Sequence, residues 1–191
     1  MVKNKKEKLI ALGFELIEKK GWKYFSLESL ASANKSDLAT IKYYFRNKLQ
    51  FLESFSEMID DKVLANIDVE EFNKNSIKDN LFELIMLRFE NLNYYKTGLK
   101  NLLSELKKSP VELKTIMKKI LDSMDLFLEV ANVKNNYLID FIKVNIIFLI
   151  YSHVFNIWLD DQSAEMSKTM AELDKWLSQA EFYSKKINEY L

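Results

Sequence analysis

Apolar residues recur every three or four positions along almost the whole chain, the period of a helix with one buried face, and nowhere in the sustained alternation of a half-buried strand. The first such stretch covers residues 4–20, with Leu9, Ile10, Leu12, Phe14, Leu16 and Ile17 on one face and Gly21 where the helix stops. Ser26 then caps a short helix over 27–33, Asn34 to Asp37 form a polar turn, and a second short helix covers 38–45. Asn47, with Gln50 three residues on, opens a longer helix over 48–66 as a capping box. After a polar break at 68–75, Ser76 with Asp79 starts a helix over 77–91 that presents Leu81, Leu84, Ile85, Leu87, Phe89 and Leu92. Gly98 interrupts the pattern of 94–107, and Ser109-Pro110-Val111-Glu112 opens the next helix with an N-cap serine, a first-turn proline and a glutamate. That helix runs over 110–131, followed by two more over 136–160 and 163–190. The expectation is an all-α chain of about nine helices.

Composition agrees: three glycines (Gly13, Gly21, Gly98) and one proline (Pro110) are too few for the tight turns of a sheet protein. A chain of 191 residues, 48% hydrophobic, can bury a core in one or two domains. With no cysteine there is neither a disulfide nor a thiolate metal site, which suits a cytoplasmic location. The segment 137–159 is the most apolar, yet it carries Asp140, Lys143, Asn145, His153 and Asn156, which points to a buried helix rather than a membrane span. The sequence offers no catalytic apparatus: there is no cysteine nucleophile, no second histidine for a His-based metal site, and no glycine-rich phosphate loop. Neither an enzyme nor a cofactor is expected. Asp60-Asp61 and Asp160-Asp161 diverge on a helix and read as solvated ends or caps.

Net charge is zero overall but unevenly distributed. Residues 1–50 carry eleven Lys or Arg against five acids, giving +6, and the remaining 141 residues carry −6. A basic head on an acidic body is the electrostatic footprint of a polyanion binder, although a lysine-rich surface helix gives the same count. Two short helices separated by a turn of three or four residues, between longer helices, form the arrangement of a helix-turn-helix.

Residues 9–52 resemble the DNA-binding head of the TetR family of transcriptional regulators. The match rests on Leu9-Ile10, Phe14, Leu16, Gly21, Ser26-Leu27, Leu30-Ala31, Ala39-Thr40-Ile41, Tyr43-Tyr44-Phe45-Arg46-Asn47-Lys48 and Leu52, with Tyr-Tyr-Phe-x-x-Lys its most specific part. The resemblance implies a DNA-binding domain at 1–50 and a helical ligand-binding and dimerisation domain at 51–191. It also implies phosphate contacts from Ser26, Tyr43, Tyr44 and Lys48 and base-edge contacts from Lys35, Ser36, Asp37, Thr40 and Lys42. Ser26 reads equally as a helix cap, and Tyr43 or Tyr44 as a core aromatic with a wet hydroxyl. Lys35 stands where family members carry a glycine in the turn, Ser36 a small apolar residue, Asp37 a serine and Lys42 a tyrosine.

For the body, the resemblance implies a homodimer through the last two helices (136–190), double-stranded operator DNA as partner and a small apolar or amphipathic effector, the usual outcome being repression. Aromatics and methionines from several helices, Phe82, Met86, Phe89, Phe127, Phe148, Tyr151 and Phe155, are the pocket candidates, with an ordinary core as the alternative. His153, the only histidine, either orients a ligand, senses pH or is a satisfied interior or interface residue. The runs 87–90, 158–163 and 168–174 look like a subgroup of TetR-type proteins. The same runs also resemble the lipid-binding accessory protein of ubiquinone biosynthesis, which has a TetR-like fold. In that reading the head is a relic and the body binds an isoprenoid lipid without touching DNA.

Overall fold

The computed structural model describes residues 2–72, 74–133, 137–163 and 165–190, which are helical nearly throughout. The helices are α1 (Val2–Lys20), α2 (Leu27–Ala33), α3 (Leu38–Tyr44), α4 (Lys48–Ala65), α5 (Val69–Phe72), α6 (Ile77–Leu92), α7 (Lys96–Leu106), α8 (Pro110–Val130), α9 (Tyr137–Asp160) and α10 (Ser167–Tyr190). Single 3₁₀ turns lie at Trp22–Tyr24 and Asn93–Tyr95. The chain packs as two compact units, Met1–Asp61 with Leu92–Lys119, and Lys62–Asn91 with Ile120–Leu191. Helices α4 and α8 each begin in the first unit and end in the second.

The first unit is centred on aromatic rings. Phe14 of α1 lies 4.2 Å from Phe55 and 5.9 Å from Phe51 of α4, centroid to centroid, and Phe51 also meets Phe25 at 4.7 Å and Phe45 at 5.2 Å. All five are buried, so the ends of α2 and α3 are pinned by a shared hydrophobic contact rather than by their own short ladders. Helix α7 packs on α1. The sequence placed a break at Gly98, but α7 runs straight through it. The glycine is there for close approach: a Cβ on Gly98 would stand 3.0 Å from a Phe14 ring carbon. The division at residue 50 likewise did not anticipate that residues 92–119 pack with the first unit.

Caps follow the sequence with local changes. The Ser26 hydroxyl accepts from the Ser29 N–H (3.1 Å) and the Ser29 hydroxyl accepts from the Ser26 N–H (3.0 Å), a reciprocal box closed by serine. Asn47 accepts from the Gln50 N–H at 2.8 Å, but Gln50 reaches back to the Arg46 N–H rather than to that of Asn47. Ser76 and Asp79 pair as expected at the start of α6. Glu112 turns away from its own helix start to accept from Trp22 Nε1 at 3.0 Å.

In the second unit, α6, α8, α9 and α10 bury Leu84, Ile85, Phe89, Met124, Phe127, Val144, Ile147, Ile150, Tyr151, Val154, Trp158, Leu173 and Leu177. Stretch Ile139–Asp160 is long and apolar enough to cross a bilayer, yet one face of it is buried and α9 packs along α10. The expected helix start at Asn136 lies outside the described residues. The last helix begins at Ser167, not 163, because Asp161 holds the intervening turn. Asp161, 3% exposed, accepts from the Ser163 N–H and hydroxyl (3.0 and 2.7 Å) and from the Thr169 N–H and hydroxyl (2.9 and 2.8 Å). Burial alone would raise its pKa, but these donors outweigh burial and hold the carboxyl well below the usual aspartate range. Asp161 is therefore a buried cap, whereas the sequence pattern suggested a solvated one; its neighbour Asp160 is exposed.

Candidate nucleic-acid interface

Helix α3 is seven residues long and fully buries only Ile41. Its opposite face leaves Ala39, Lys42 and Tyr43 exposed, and Arg46 continues that i, i+3, i+4, i+7 row just past the helix. Tyr43 is 76% exposed and meets the half-buried Tyr44 edge-on at 5.1 Å, while Phe45 is fully inside. The aromatic run thus divides by position: Phe45 anchors the helix and Tyr43 is offered to solvent.

The turn between α2 and α3 is a Schellman motif. The Ser36 N–H donates to the Ala31 carbonyl (3.0 Å) and the Lys35 N–H to the Ser32 carbonyl (3.2 Å). Lys35 occupies the left-handed position of that motif, with φ of 52°, and its side chain is exposed. Here lies the physical reason a glycine would fit the turn. The Ser36 hydroxyl accepts from Asn34 Nδ2 at 3.0 Å, and Asp37 caps α3 by accepting from the Thr40 N–H at 2.6 Å. Those Thr40 hydrogen bonds hold the Asp37 carboxyl below its ordinary range, so the acid is charged and occupied at the helix start. Lys35, Ser36, Asp37, Thr40 and Lys42 thus fall in one turn and one short helix, with Asp37, Thr40 and Ser36 partly engaged in building it.

Lys48 differs from the sequence expectation in its surroundings. Its ammonium is half-buried, donates to the Trp22 carbonyl and lies 4.0 Å from the Trp22 ring centroid, a cation–π contact. Desolvation lowers its pKa, and Glu112 and Glu105 oppose the shift. Glu105 accepts from the Lys23 N–H beside Gly21. Gly21, at φ 83° and ψ 159°, has the extended left-sided conformation open to glycine, and a Cβ there would meet the Glu105 carboxylate. The end of α1, the start of α4 and the α7–α8 corner therefore share one polar cluster.

Sequence reasoning passed over Tyr24 and Glu28. Tyr24 is 68% exposed beside Lys23, two residues before the Ser26 cap, and Glu28 is an exposed acid in the first turn of α2. Their own-backbone context was the available signal: an aromatic and an acid flanking an N-cap serine.

The proposed pocket residues all lie in the second unit. Phe89 and Tyr151 stack with planes 2° apart and centroids 5.3 Å apart; Phe155 joins both, and Trp158 meets Phe89 at 5.5 Å. Met86 and Phe127 are buried, Phe82 and Phe148 half-buried. Sequence reading missed Arg88, 3% exposed, whose Nε donates to the Tyr151 hydroxyl at 3.2 Å and whose guanidinium lies 6.0 Å from the Phe127 ring centroid. His153 is not interior. It is half-exposed on α9, 3.7 Å from Glu172 and edge-on to Trp176 of α10. A surface hollow of about 380 Å³ adjoins it, lined by His153, Asn156, Ile157, Asp160, Asp161 and Lys168.

No family model and no curated protein matches the chain. Solved structures do. A TetR transcriptional regulator from Nitrosomonas europaea superposes with a TM-score of 0.75 at 18% identity, over 94% of this chain and 99% of that one. The TetR family regulator PfmR from Thermus thermophilus superposes with a TM-score of 0.50 at 17% identity, over 89% and 97%. At these identities the likeness concerns architecture, and it reaches both units: the chain has the fold of the TetR-family transcriptional regulators.

Proposed function

We propose that the chain is a DNA-binding transcriptional regulator of the TetR type, a homodimer that represses transcription until a small apolar or amphipathic effector enters its body. The observation that carries this reading is the exposed row Ala39, Lys42, Tyr43 and Arg46 on a helix anchored by Ile41 and Phe45, in a fold shared with such regulators. In this reading α3 enters the major groove, where Lys35, Lys42 and Thr40 reach base edges, and Ser36 and Asp37 shape the approach. Ser26, Tyr43 and Tyr44 meet the phosphates, and Lys48 contributes through its charge at the start of α4.

Dimerisation is assigned to α9 and α10. Ile139, Ile142, Ile146 and Leu149 form an exposed apolar stripe along α9 at i, i+3, i+7 and i+10, flanked by Phe141, and Phe141 and Leu149 are each 65% exposed. On α10, Trp176, edge-on to His153 of α9, and the exposed Tyr183 are assigned to the same surface. A second copy of the chain covers this stripe and sets two α3 helices about 34 Å apart, one turn of duplex. The effector site is assigned to Phe82, Met86, Phe89, Phe127, Phe148, Tyr151 and Phe155, with Arg88 fixing a positive charge beside them. Release of DNA requires the effector to bind the released state more tightly than the DNA-bound one.

The test begins with selection of a preferred duplex from a random-sequence pool by the full chain, followed by fluorescence anisotropy at several salt concentrations. Competitor-resistant binding, with Lys42→Ala relaxing the preference for the selected site over unrelated DNA, is the expected result. No enrichment of any sequence from the pool would refute the regulator reading and turn attention to lipid extracted from the native protein.

A further inference from the structure

The charge division seen in the sequence sharpens once the units are known. Residues 92–119 carry seven lysines (96, 100, 107, 108, 114, 118, 119) against two acids, Glu105 and Glu112. With them the first unit holds eighteen cations and eleven acids, a net +7, and the second unit carries −7. Two fifths of the lysines and arginines of the first unit thus lie outside the helix-turn-helix segment altogether.

Both acids of this segment face inward. Glu105 is engaged by the Lys23 N–H and Glu112 by Trp22 Nε1. Asn101 Nδ2 also donates to the Glu18 carbonyl at 3.1 Å, so α7 and the start of α8 are bound to the end of α1 and the 3₁₀ turn that follows it at three points. The lysines flanking these contacts face outward: Lys19 and Lys20 close α1, Lys23 follows, and Lys107 and Lys108 close α7, all five exposed. None of the five forms an ion pair among the described residues. Lys114, Lys118 and Val111 extend the exposed surface along α8. Such a corner engages Glu105 and Glu112 as internal hydrogen-bond acceptors and presents five ammonium groups to solvent, with Glu18 the exposed acid beside Lys19. It is joined through Lys23 and Tyr24 to the Ser26 cap of α2, and through Trp22 and Lys48 to the start of α4.

We propose that this corner, Lys19, Lys20 and Lys23 with Lys107 and Lys108, is a second DNA-backbone surface, which engages phosphates flanking the segment read by α3. The inference rests on the regulator reading and extends it to residues outside the head. The partner is the phosphodiester backbone because the surface is cationic, carries flexible point charges rather than bidentate arginines, and is continuous in the chain with the elements that contact the same duplex. Contacts of this kind add affinity without sequence preference and raise the number of counterions released.

The experiment uses the full chain, the selected site embedded in a 40-bp duplex, and the same site trimmed to its read core. Wild type binds the longer duplex more tightly and with a steeper salt dependence. Lys107→Gln with Lys108→Gln abolishes that advantage, lowering the slope by about two per protomer and the low-salt affinity at least tenfold. Its preference for the selected site over unrelated DNA stays unchanged, and Lys107→Arg with Lys108→Arg retains wild-type behaviour. Equal melting temperatures for the three proteins tie any loss to the surface. If wild type binds its site and the glutamine variant matches it on both duplexes, the corner has no role in DNA binding and the inference is overturned, with the regulator reading intact. Glutamine substitution that weakens binding only to vesicles containing 30% phosphatidylserine, and not to DNA, overturns it equally. Wild type that binds neither duplex overturns the regulator reading itself.

Discussion

Lys35 permits a clean separation of a backbone effect from a charge effect. At φ 52° it sits in the left-handed region, held by the paired Ser36-to-Ala31 and Lys35-to-Ser32 hydrogen bonds. A non-glycine residue there costs about 1–2 kcal/mol, and glycine loses roughly 0.5–1 kcal/mol through its greater unfolded-state freedom. Lys35→Gly should therefore stabilise the first unit by about 0.5–1 kcal/mol, which in a chain of this size raises the melting temperature by roughly 1–4 °C. Lys35→Ala removes the same charge but keeps the Cβ, so it should leave stability near wild type, with Lys35→Asn in between because asparagine tolerates this conformation. Thermal unfolding followed by circular dichroism, supported by urea titration, gives the ranking. Both Gly and Ala variants should lose the same increment of preference for the selected site, because both lose the ammonium assigned to a base edge. A glycine variant no more stable than the alanine variant would refute the claim that the turn is strained at this residue.

Other expectations follow from specific contacts. Asp161→Asn should destabilise the second unit by roughly 2 kcal/mol, since a buried acceptor of four hydrogen bonds is replaced by an amide with donors of its own. Because the folded carboxyl titrates below its unfolded value, its contribution is fully present above about pH 5 and is lost as pH falls below the ordinary aspartate range; the Asn variant should show a flatter acid-unfolding profile over that window. Trp22→Phe removes the donor to Glu112 while keeping an aromatic ring near Lys48; urea unfolding should show a loss of about 1–2 kcal/mol, and a wild-type midpoint would contradict the role given to that hydrogen bond. Ile146→Asp with Leu149→Asp should yield a monodisperse monomer in sedimentation velocity with unchanged helicity, and a persistent dimer would exclude the α9 stripe as the interface.

Much of this architecture was legible because local signals and burial agree. The Ser26, Asn47 and Ser76 caps, the split of α2 and α3 and the apolar period of α6 are short-range features, and short-range chemistry is what a sequence displays. The errors share a cause in long-range contact. Gly98 reads as a break until Phe14 is seen against it, and Glu112 reads as a capping partner until Trp22, ninety residues away, claims it. Asp161 looks solvated because sequence cannot show that Thr169 returns to cover it. On α3, the sequence marked Lys42 and Tyr43 but not Arg46, whose exposure completes the row, and it did not show the sheltered position of Lys48, which depends on Trp22. Arg88 was read only as part of the run 87–90 and not with the pocket aromatics, because nothing in the sequence shows that an arginine among them is 3% exposed.

The first unit is discontinuous, and that limits how its parts can be recombined. Residues Leu92–Lys119 contribute Gly98 against Phe14 and Glu112 against Trp22, contacts that a segment ending at residue 50 or 61 lacks. Such a fragment would expose part of its aromatic centre and leave the Trp22 indole without its acceptor. The helix-turn-helix part of this fold is therefore not a cassette. A chimera that exchanges the first unit between chains of this fold must carry α7 and the start of α8 along with α1 to α4, and the crossover points that preserve folding fall inside α4 and α8 or at the start of the 3₁₀ turn before α7.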